Sequence, residues 1–175
     1  MKKLAAIATM LAILGLLIIP ASALAAGGSS GDTSVGGTIS TYYTLIAPAP
    51  IDLGTTISSA GEIAKGPFNV TVSTNDAAIT TCGITVADKQ AGPKGANAGH
   101  LMNGSYAMAS NLILSGGDKT NTVLNAAAIP LRASSTPLAT ASITDFRVSQ
   151  TIGTADLAHA GAYTLTLTFT ATFGP

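Results

Sequence analysis

The chain has few of the residues that enzymes and cofactor-binding proteins use for chemistry. Its 175 residues include one cysteine, two histidines and no tryptophan. One cysteine excludes an internal disulfide and any multi-cysteine zinc or iron–sulfur site. The histidines, His100 and His159, are too far apart in sequence to act as a local pair of metal ligands. This composition predicts a protein with no cofactor and no metal, and it does not favour an enzyme.

Charged residues are equally scarce. They make up 9% of the chain, with 8 Lys+Arg against 8 Asp+Glu, and after Lys2 and Lys3 the basic residues are scattered singly. Without a basic stripe to neutralise phosphates, the chain is not expected to bind nucleic acid. Threonine, serine, asparagine and glycine must cover most of the polar surface, and this composition is typical of strands and turns.

The N-terminus has the pattern of a secretory signal peptide. A positively charged start precedes an almost uninterrupted apolar run, Leu4 to Ile19, which small residues follow. We predict a signal peptide over residues 1–25 with cleavage after Ala25, and cleavage after Ala23 is the alternative. An uncleaved anchor is also considered, but the run is shorter than the roughly 20 residues that span a bilayer. The mature chain is therefore expected to be secreted, extracellular and at the cell surface, with membrane contact only through the signal before cleavage.

The rest of the chain is predicted to contain a short leader and one domain. Residues 26–34 have no large apolar side chain, so burial cannot offset the entropy of ordering them, and we expect a flexible leader. Residues 35–175 contain short alternating apolar segments separated by Gly, Pro, Asn and Asp clusters. This pattern predicts a single all-β domain, an immunoglobulin-like antiparallel β-sandwich of about seven to eight strands. A barrel is the second choice.

Three segments carry the clearest strand patterns. Phe68 to Ser73 and Cys82 to Val86 alternate between apolar and polar residues, and we expect them to be neighbouring antiparallel strands. At the C-terminus, the odd residues from Tyr163 to Phe173 are apolar and every even residue is threonine. A period of two over this length indicates a strand, which we expect to be central in its sheet.

Motifs with catalytic resemblance fit turns better than active sites. Gly27 to Gly31 matches the G-x-S-x-G pattern around Ser29, but that chemistry needs a preceding strand and a following helix, and neither is predicted. Asp76, Asp88 and Asp118 lack the acidic spacing of a calcium loop and are expected to be solvated turn carboxylates. No catalytic, cofactor-binding or metal-binding residue is assigned.

Three residues are candidates for covalent modification. Asn69 and Asn103 each begin an N-glycosylation sequon. Cys82 shares the apolar face of its strand, so it is either a small buried hydrophobe or, in an oxidising compartment, one half of an intermolecular disulfide.

Several short segments carry a resemblance to known surface proteins. They are Asp52 to Gly54, Phe68 to Asp76, Ile84 to Asp88, Gly99 to Met102, Gln150, and Gly161 to Tyr163 before the terminal strand. Together they resemble a loose group of secreted archaeal and Gram-positive β-sandwich proteins, the coat-like, WxL-like and camelysin/TasA-like proteins. The tryptophan motif that names the WxL group is missing, so peptidoglycan attachment of that kind is not expected. The resemblance implies a structural or surface role, and in some relatives the N-terminal segment of one subunit completes the sheet of the next.

The N-terminal segment of this chain has the pattern that such an assembly needs. Val35 to Leu45 is β-prone and contains glycine, and an exposed sheet edge offers unpaired N–H and C=O groups to such a strand. We therefore predict a pilus-like subunit of an extracellular filament or biofilm matrix, whose partners are further copies or other surface proteins. The predicted donor-strand residues are Val35, Ile39, Tyr43 and Leu45.

Two alternatives remain. The segment could pair within its own domain, and the protein would then be a monomeric surface adhesion module. Its loops could instead bind an envelope polysaccharide, although aromatic residues are only 5% of the chain. The aromatic candidates for a sugar platform are Tyr42, Tyr43 and Tyr106.

Overall fold

Strands dominate the described chain. A computed structural model describes residues 39–54 and 56–175. The predicted signal peptide, its cleavage position after Ala25, the leader, Ser29 and Val35 lie outside these residues. In order, the strands are β1 (Tyr43–Ile46), β2 (Gly61–Thr74), β3 (Thr81–Asp88), β4 (His100–Asn103), β5 (Tyr106–Asn111), β6 (Ile113–Gly116), β7 (Lys119–Val123), β8 (Ile129–Arg132), β9 (Ile143–Ile152) and β10 (Leu167–Gly174).

Helical structure is limited to short turns in the described residues. Two four-residue α-helices, Ala91–Lys94 and Leu138–Ala141, and two three-residue 3₁₀ helices, Gly95–Asn97 and Asp156–Ala158, connect the strands. Within these same limits, none of the helices has the length and apolar character needed to cross a membrane.

The strands form antiparallel sheets. One sheet has five strands in the order β1-β2-β9-β6-β7, a second has three in the order β10-β3-β8, and β4 and β5 form a hairpin. Side chains of both larger sheets meet in one core, where Phe146 of β9 contacts Phe169 of β10 edge to face at 5.3 Å. The predicted all-β antiparallel sandwich is confirmed. The described chain has ten strands rather than seven or eight, because several strands of four or five residues are too short to show an alternating pattern.

Central strand β9 shows how the sequence specifies its faces. Phe146, Val148 and Ile152 are buried, whereas Arg147 and Thr151 between them are exposed. Because side chains alternate across a strand, this pattern turns one face of β9 to the core and the other to solvent. β9 pairs with β2 on one side and with β6 on the other, so it fixes the middle of the five-stranded sheet.

β2 and β3 are not neighbours, contrary to the sequence prediction. β2 pairs with β1 and β9, while β3 pairs with β10 and β8. The connection between them, residues 75–80, carries the chain from one sheet to the other. A connection of this length allows either a hairpin or a sheet crossing, and the alternating pattern of the two strands is the same in both cases.

The C-terminal strand lies at a sheet edge, also contrary to the prediction. β10 pairs with β3 along its whole length, but it is the outermost strand of the three-stranded sheet. The strand begins at Leu167 rather than at Tyr163, and before it Thr164 makes an isolated bridge to Met102. An alternating pattern reports the two faces of a strand and not how many strands flank it, so the sequence could not distinguish an edge from a centre.

Candidate functional site

Among the described residues, β10 pairs along one of its two edges. The N–H of Lys89, just after β3, donates to the carbonyl of Thr166 at 2.9 Å, and the register of the pair continues from this point. The even residues of β10 therefore direct their backbone groups toward β3, and the odd residues direct theirs away. Within the described part of the chain, no strand pairs with that outward side.

The apolar face of the C-terminal segment is incompletely covered. Its threonines, at even positions 164 to 172, are exposed. The odd side chains pack against the core yet remain partly accessible, unlike the fully buried Ile84 and Val86 on the neighbouring β3. The partly covered residues are Tyr163, Leu165, Leu167, Phe169, Ala171 and Phe173.

A cleft of about 930 Å³ opens beside the start of β10. One wall is the segment between β1 and β2, residues 47–54 and 56–57, which we call the β1–β2 segment. The other wall is the stretch from Leu157 to Phe169, and core residues such as Met108 and Val148 form the floor. Pro48 and Pro50 prevent the β1–β2 segment from forming a continuous ladder, so it covers the core without closing the sheet edge.

Asp156 fixes the wall that leads into β10. This carboxylate is 3% exposed and accepts hydrogen bonds from the Gly153 N–H at 2.8 Å and from the Ala109 N–H and the Tyr106 hydroxyl, both at 3.0 Å. The Tyr106 ring stacks on His159 with centroids 3.6 Å apart. Burial opposes charge on Asp156, but the three hydrogen bonds and the nearby imidazole hold the pKa of its carboxyl below the usual value.

A second buried carboxylate organises the connection after β3. Asp88 is 4% exposed and pairs with Lys94 at 2.9 Å, and the Gly99 N–H also donates to it at 2.9 Å. Burial opposes its charge, yet the backbone N–H groups of Gly99 and Gln90 and the Lys94 ammonium hold the pKa of Asp88 below its usual value. The expectation that Asp88 is a solvated turn carboxylate is therefore wrong.

Two of the predicted donor-strand residues pair within their own chain. Tyr43 lies opposite Thr74 and Leu45 opposite Val72 in the β1–β2 ladder. In the described chain, Tyr43 and Leu45 therefore belong to a strand that pairs within its own domain, which is the pairing that the alternative expects. Ile39 belongs to no strand and is 87% exposed, and Val35 lies outside the described residues.

Cys82 lies in the core. Its side chain is fully buried, and burial raises the pKa of the thiol, which a contact with the Thr172 backbone partly offsets. A disulfide to another chain requires an exposed sulfur. The structure thus corrects the intermolecular-disulfide prediction and supports the interpretation of Cys82 as a small buried hydrophobe.

The two sequon asparagines have different surroundings. Asn69 is exposed on β2. Asn103 is half-buried, and its Nδ2 donates to the Ala160 carbonyl at 3.0 Å. Nδ2 is the atom that would carry a glycan, so the structure leaves Asn69 the more accessible of the two.

The three candidate tyrosines do not form one sugar platform. Tyr42 and Tyr43 are half-exposed near the β2–β3 connection, where the Tyr43 hydroxyl donates to Asp76 at 2.7 Å. The Tyr106 ring stacks on His159, and its hydroxyl donates a hydrogen bond to Asp156. Their rings contact different parts of the fold rather than facing one common ligand.

The sequence did not predict that Asp88 and Asp156 are buried. It also did not predict that the β1–β2 segment forms one wall of the cleft. Isolated carboxylates between turn residues are usually solvated, and nothing local in the sequence marks these two as buried. For the β1–β2 segment, the alternation of Ile51 and Leu53 after two prolines was the available signal. In residues 39–54 and 56–175, no group of His, Cys, Asp and Glu side chains is placed to hold a metal ion.

Comparison with known proteins adds no assignment. No family model, no curated protein and no solved structure matches the chain.

Proposed function

We propose that this chain is a secreted cell-surface structural protein, a subunit of an extracellular filament or matrix that assembles by β-strand addition through its N-terminal segment. The observation that carries the proposal is the outward edge of β10, with which no strand of the described residues pairs and whose backbone groups lie beside a partly exposed apolar face. A strand from another molecule would satisfy these backbone groups and cover that face. The resemblance to secreted β-sandwich surface proteins supports the same role, and no enzymatic activity is proposed.

The donor segment in this proposal is shorter than the sequence pattern suggested. Since Tyr43 and Leu45 pair with β2, the donated residues are those before β1, including Val35 and Ile39. The 87% exposed side chain of Ile39 supports this choice, because a large apolar group gains most when a partner buries it.

The energetics favour reversible assembly. Burial of Val35 and Ile39 would contribute about 1.5–3 kcal/mol each, and each ladder hydrogen bond about 0.5–1.5 kcal/mol. Association costs about 4–15 kcal/mol in lost translational and rotational freedom. These terms are of similar size, so polymer length is expected to depend on protein concentration.

Charge substitutions on the two faces of the segment test the proposal. The secreted chain with Val35→Asp and Ile39→Asp is expected to remain monomeric in size-exclusion chromatography and negative-stain electron microscopy, because an added strand would have to bury both carboxylates. The matched control, Ser34→Asp with Thr38→Asp, adds the same charge on the solvent-facing positions and is expected to polymerise.

Either of two results would contradict the proposal. If the wild-type chain is monomeric at every concentration, the protein does not assemble in this way. If both double variants polymerise like the wild type, assembly does not use the N-terminal segment. Circular dichroism of each variant checks that the sandwich is folded.

We also propose Asn69 as the glycan acceptor if the host modifies this chain. Its exposure on β2 contrasts with the engaged amide of Asn103. Intact-mass analysis of the secreted protein and of Asn69→Gln tests this, and a glycan that persists in that variant would reject it.

A further inference from the structure

The edges of the two larger sheets are not equivalent. In the described chain, β1 and β7 end the five-stranded sheet, and β8 and β10 end the three-stranded sheet. β1, β7 and β8 have only four or five residues, and each carries or adjoins a residue that discourages pairing. These residues are Pro48 just after β1, Lys119 on β7 and Pro130 on β8.

β10 lacks such protection. It has eight residues, with neither a proline nor a charged side chain. By contrast, the edge of β8 is already occupied in part, because its Leu131 carbonyl accepts a hydrogen bond from the Asp118 N–H at 2.8 Å. Natural sheets usually block an open edge with charge, proline or short length, so a long unblocked edge indicates a place where another strand binds.

The cleft lies next to this open edge. Leu165, Leu167 and Phe169 line it, and all three belong to the partly covered face. A strand added to β10 would place every second side chain next to these residues, on the same face of the sheet, between β10 and the β1–β2 segment. One strand would therefore fill the cleft and complete the sheet at the same time.

The chain enters the described fold at the opposite end of β10. The Ser40 carbonyl accepts a hydrogen bond from Asn75 at 3.1 Å, and the Tyr43 ring contacts Phe173 near the end of β10 with centroids 5.3 Å apart. The cleft adjoins Leu165 and Leu167, at the start of that strand. The N-terminal segment therefore starts near the end of β10, and the cleft lies near the start of that strand. This separation favours a head-to-tail contact, in which the segment of one copy enters the cleft of the next.

The residues that precede Ser40 match the chemistry of this edge. Residues 33–39 contain no charge and no proline, and their odd positions include Val35 and Ile39. Extended, seven residues reach about 23 Å, which is close to the length of β10. A segment of this composition can join a ladder without burying a charge.

We propose that the open edge of β10 and the adjoining cleft are the acceptor site for residues 33–39 of a second copy of this chain. The inference rests on the proposed function and specifies which edge receives the donor strand. It places the partner's Val35 and Ile39 beside the apolar face that begins at Leu165, on the same side of the sheet.

Cysteine trapping in the secreted chain tests the acceptor. Ile39→Cys is combined in turn with Leu165→Cys, Leu167→Cys and Ala171→Cys, so that several registers along the edge are sampled. Under mild oxidation, at least one pair is expected to give a series of disulfide-linked oligomers on a non-reducing gel. Each single variant, and Ile39→Cys with Thr120→Cys on the exposed part of β7, is expected to give none; native Cys82 is buried in all of them.

The outcomes separate this inference from the proposed function. Oligomers linked through Thr120 alone, or polymers with no linkage to β10, would overturn the acceptor assignment and leave strand addition standing. A disulfide within one monomer would show that the segment fills its own cleft, which rejects a second copy as the occupant. Absence of wild-type polymers would reject both proposals.

A second measurement does not depend on register. Hydrogen exchange at the Leu167, Phe169 and Ala171 amides, which point away from β3, is expected to slow at least tenfold when monomers assemble. Unchanged exchange at these amides in the polymer would overturn the inference.

Discussion

Buried carboxylates hold the connections around the sandwich in place at the scale of single residues. Asp88 binds Lys94 and the Gly99 N–H, and Asp156 binds three donors from two separate segments. Position 99 requires glycine, because its φ is +84° and an added Cβ would collide with the Leu124 carbonyl. A few polar contacts therefore determine how the chain leaves β3 and approaches β10.

Removing the cation from the Asp88 pair is expected to be costly. Lys94→Met keeps the length of the side chain but leaves the Asp88 carboxylate buried without its ammonium partner, which should lower the free energy of unfolding by about 3–5 kcal/mol. Urea denaturation of the purified chain at pH 7 measures this. Lys89→Met removes an exposed lysine of the same connection and should change stability by no more than about 0.5 kcal/mol; equal effects of the two substitutions would contradict a special role for the buried pair.

Acid is expected to destabilise the fold through the same two carboxylates. The folded-state pKa values of Asp88 and Asp156 lie below their usual value, so the unfolded chain binds more protons as the pH falls. Their contribution is complete above the unfolded pKa of about 3.9, and it is lost as the pH falls from there through the folded values. Urea denaturation from pH 6 to pH 2.5 checks the sign, and Asp156→Asn should show a weaker pH dependence; stability that stays constant over this range would contradict the prediction.

At the scale of the element, the two edges of β10 differ, because one pairs with β3 and no strand of residues 39–54 and 56–175 pairs with the other. In the monomer, the amides of Thr168 and Thr170, which face β3, are expected to exchange slowly, whereas those of Leu167 and Phe169 should exchange at least tenfold faster. Hydrogen exchange followed by nuclear magnetic resonance at low protein concentration measures this. Equal protection of odd and even amides would mean that both edges of β10 are paired in a single chain.

The predictability of the elements follows from what each pattern encodes. Threonine alternation from Thr164 to Thr172 predicted a strand and assigned its faces, because side chains repeat every second residue. It could not predict the edge position, since the alternation of side chains is the same whether one or both backbone edges of a strand are paired.

The burial of Asp88 depends on Lys94 and Gly99, which tertiary structure brings to it, so its sequence surroundings predicted exposure to solvent instead. The cleft was equally hidden, because its walls come from segments about a hundred residues apart.

At the scale of the whole molecule, the proposed contact joins different surfaces of two copies, and such a contact gives an open chain of subunits rather than a closed dimer. A copy that can accept a strand but cannot donate one would then end a growing filament. Val35→Asp with Ile39→Asp, mixed at one part in ten with wild type, is expected to shorten filaments several-fold in electron micrographs. The Ser34→Asp and Thr38→Asp variant, mixed in the same proportion, should leave their length unchanged; equal lengths in the two mixtures would argue against a one-directional joint.

The start of β1 and the end of β10 lie side by side, as the contact between Tyr43 and Phe173 shows. This neighbourhood makes the sandwich a natural subject for circular permutation, in which a short linker joins Pro175 to Ser40. New termini fit at the β4–β5 turn, where Gly104 and Ser105 are exposed. The permuted chain would keep both sheets and the cleft but would lack the residues before Ser40. It would therefore serve as a receptor to which candidate donor peptides are added one at a time.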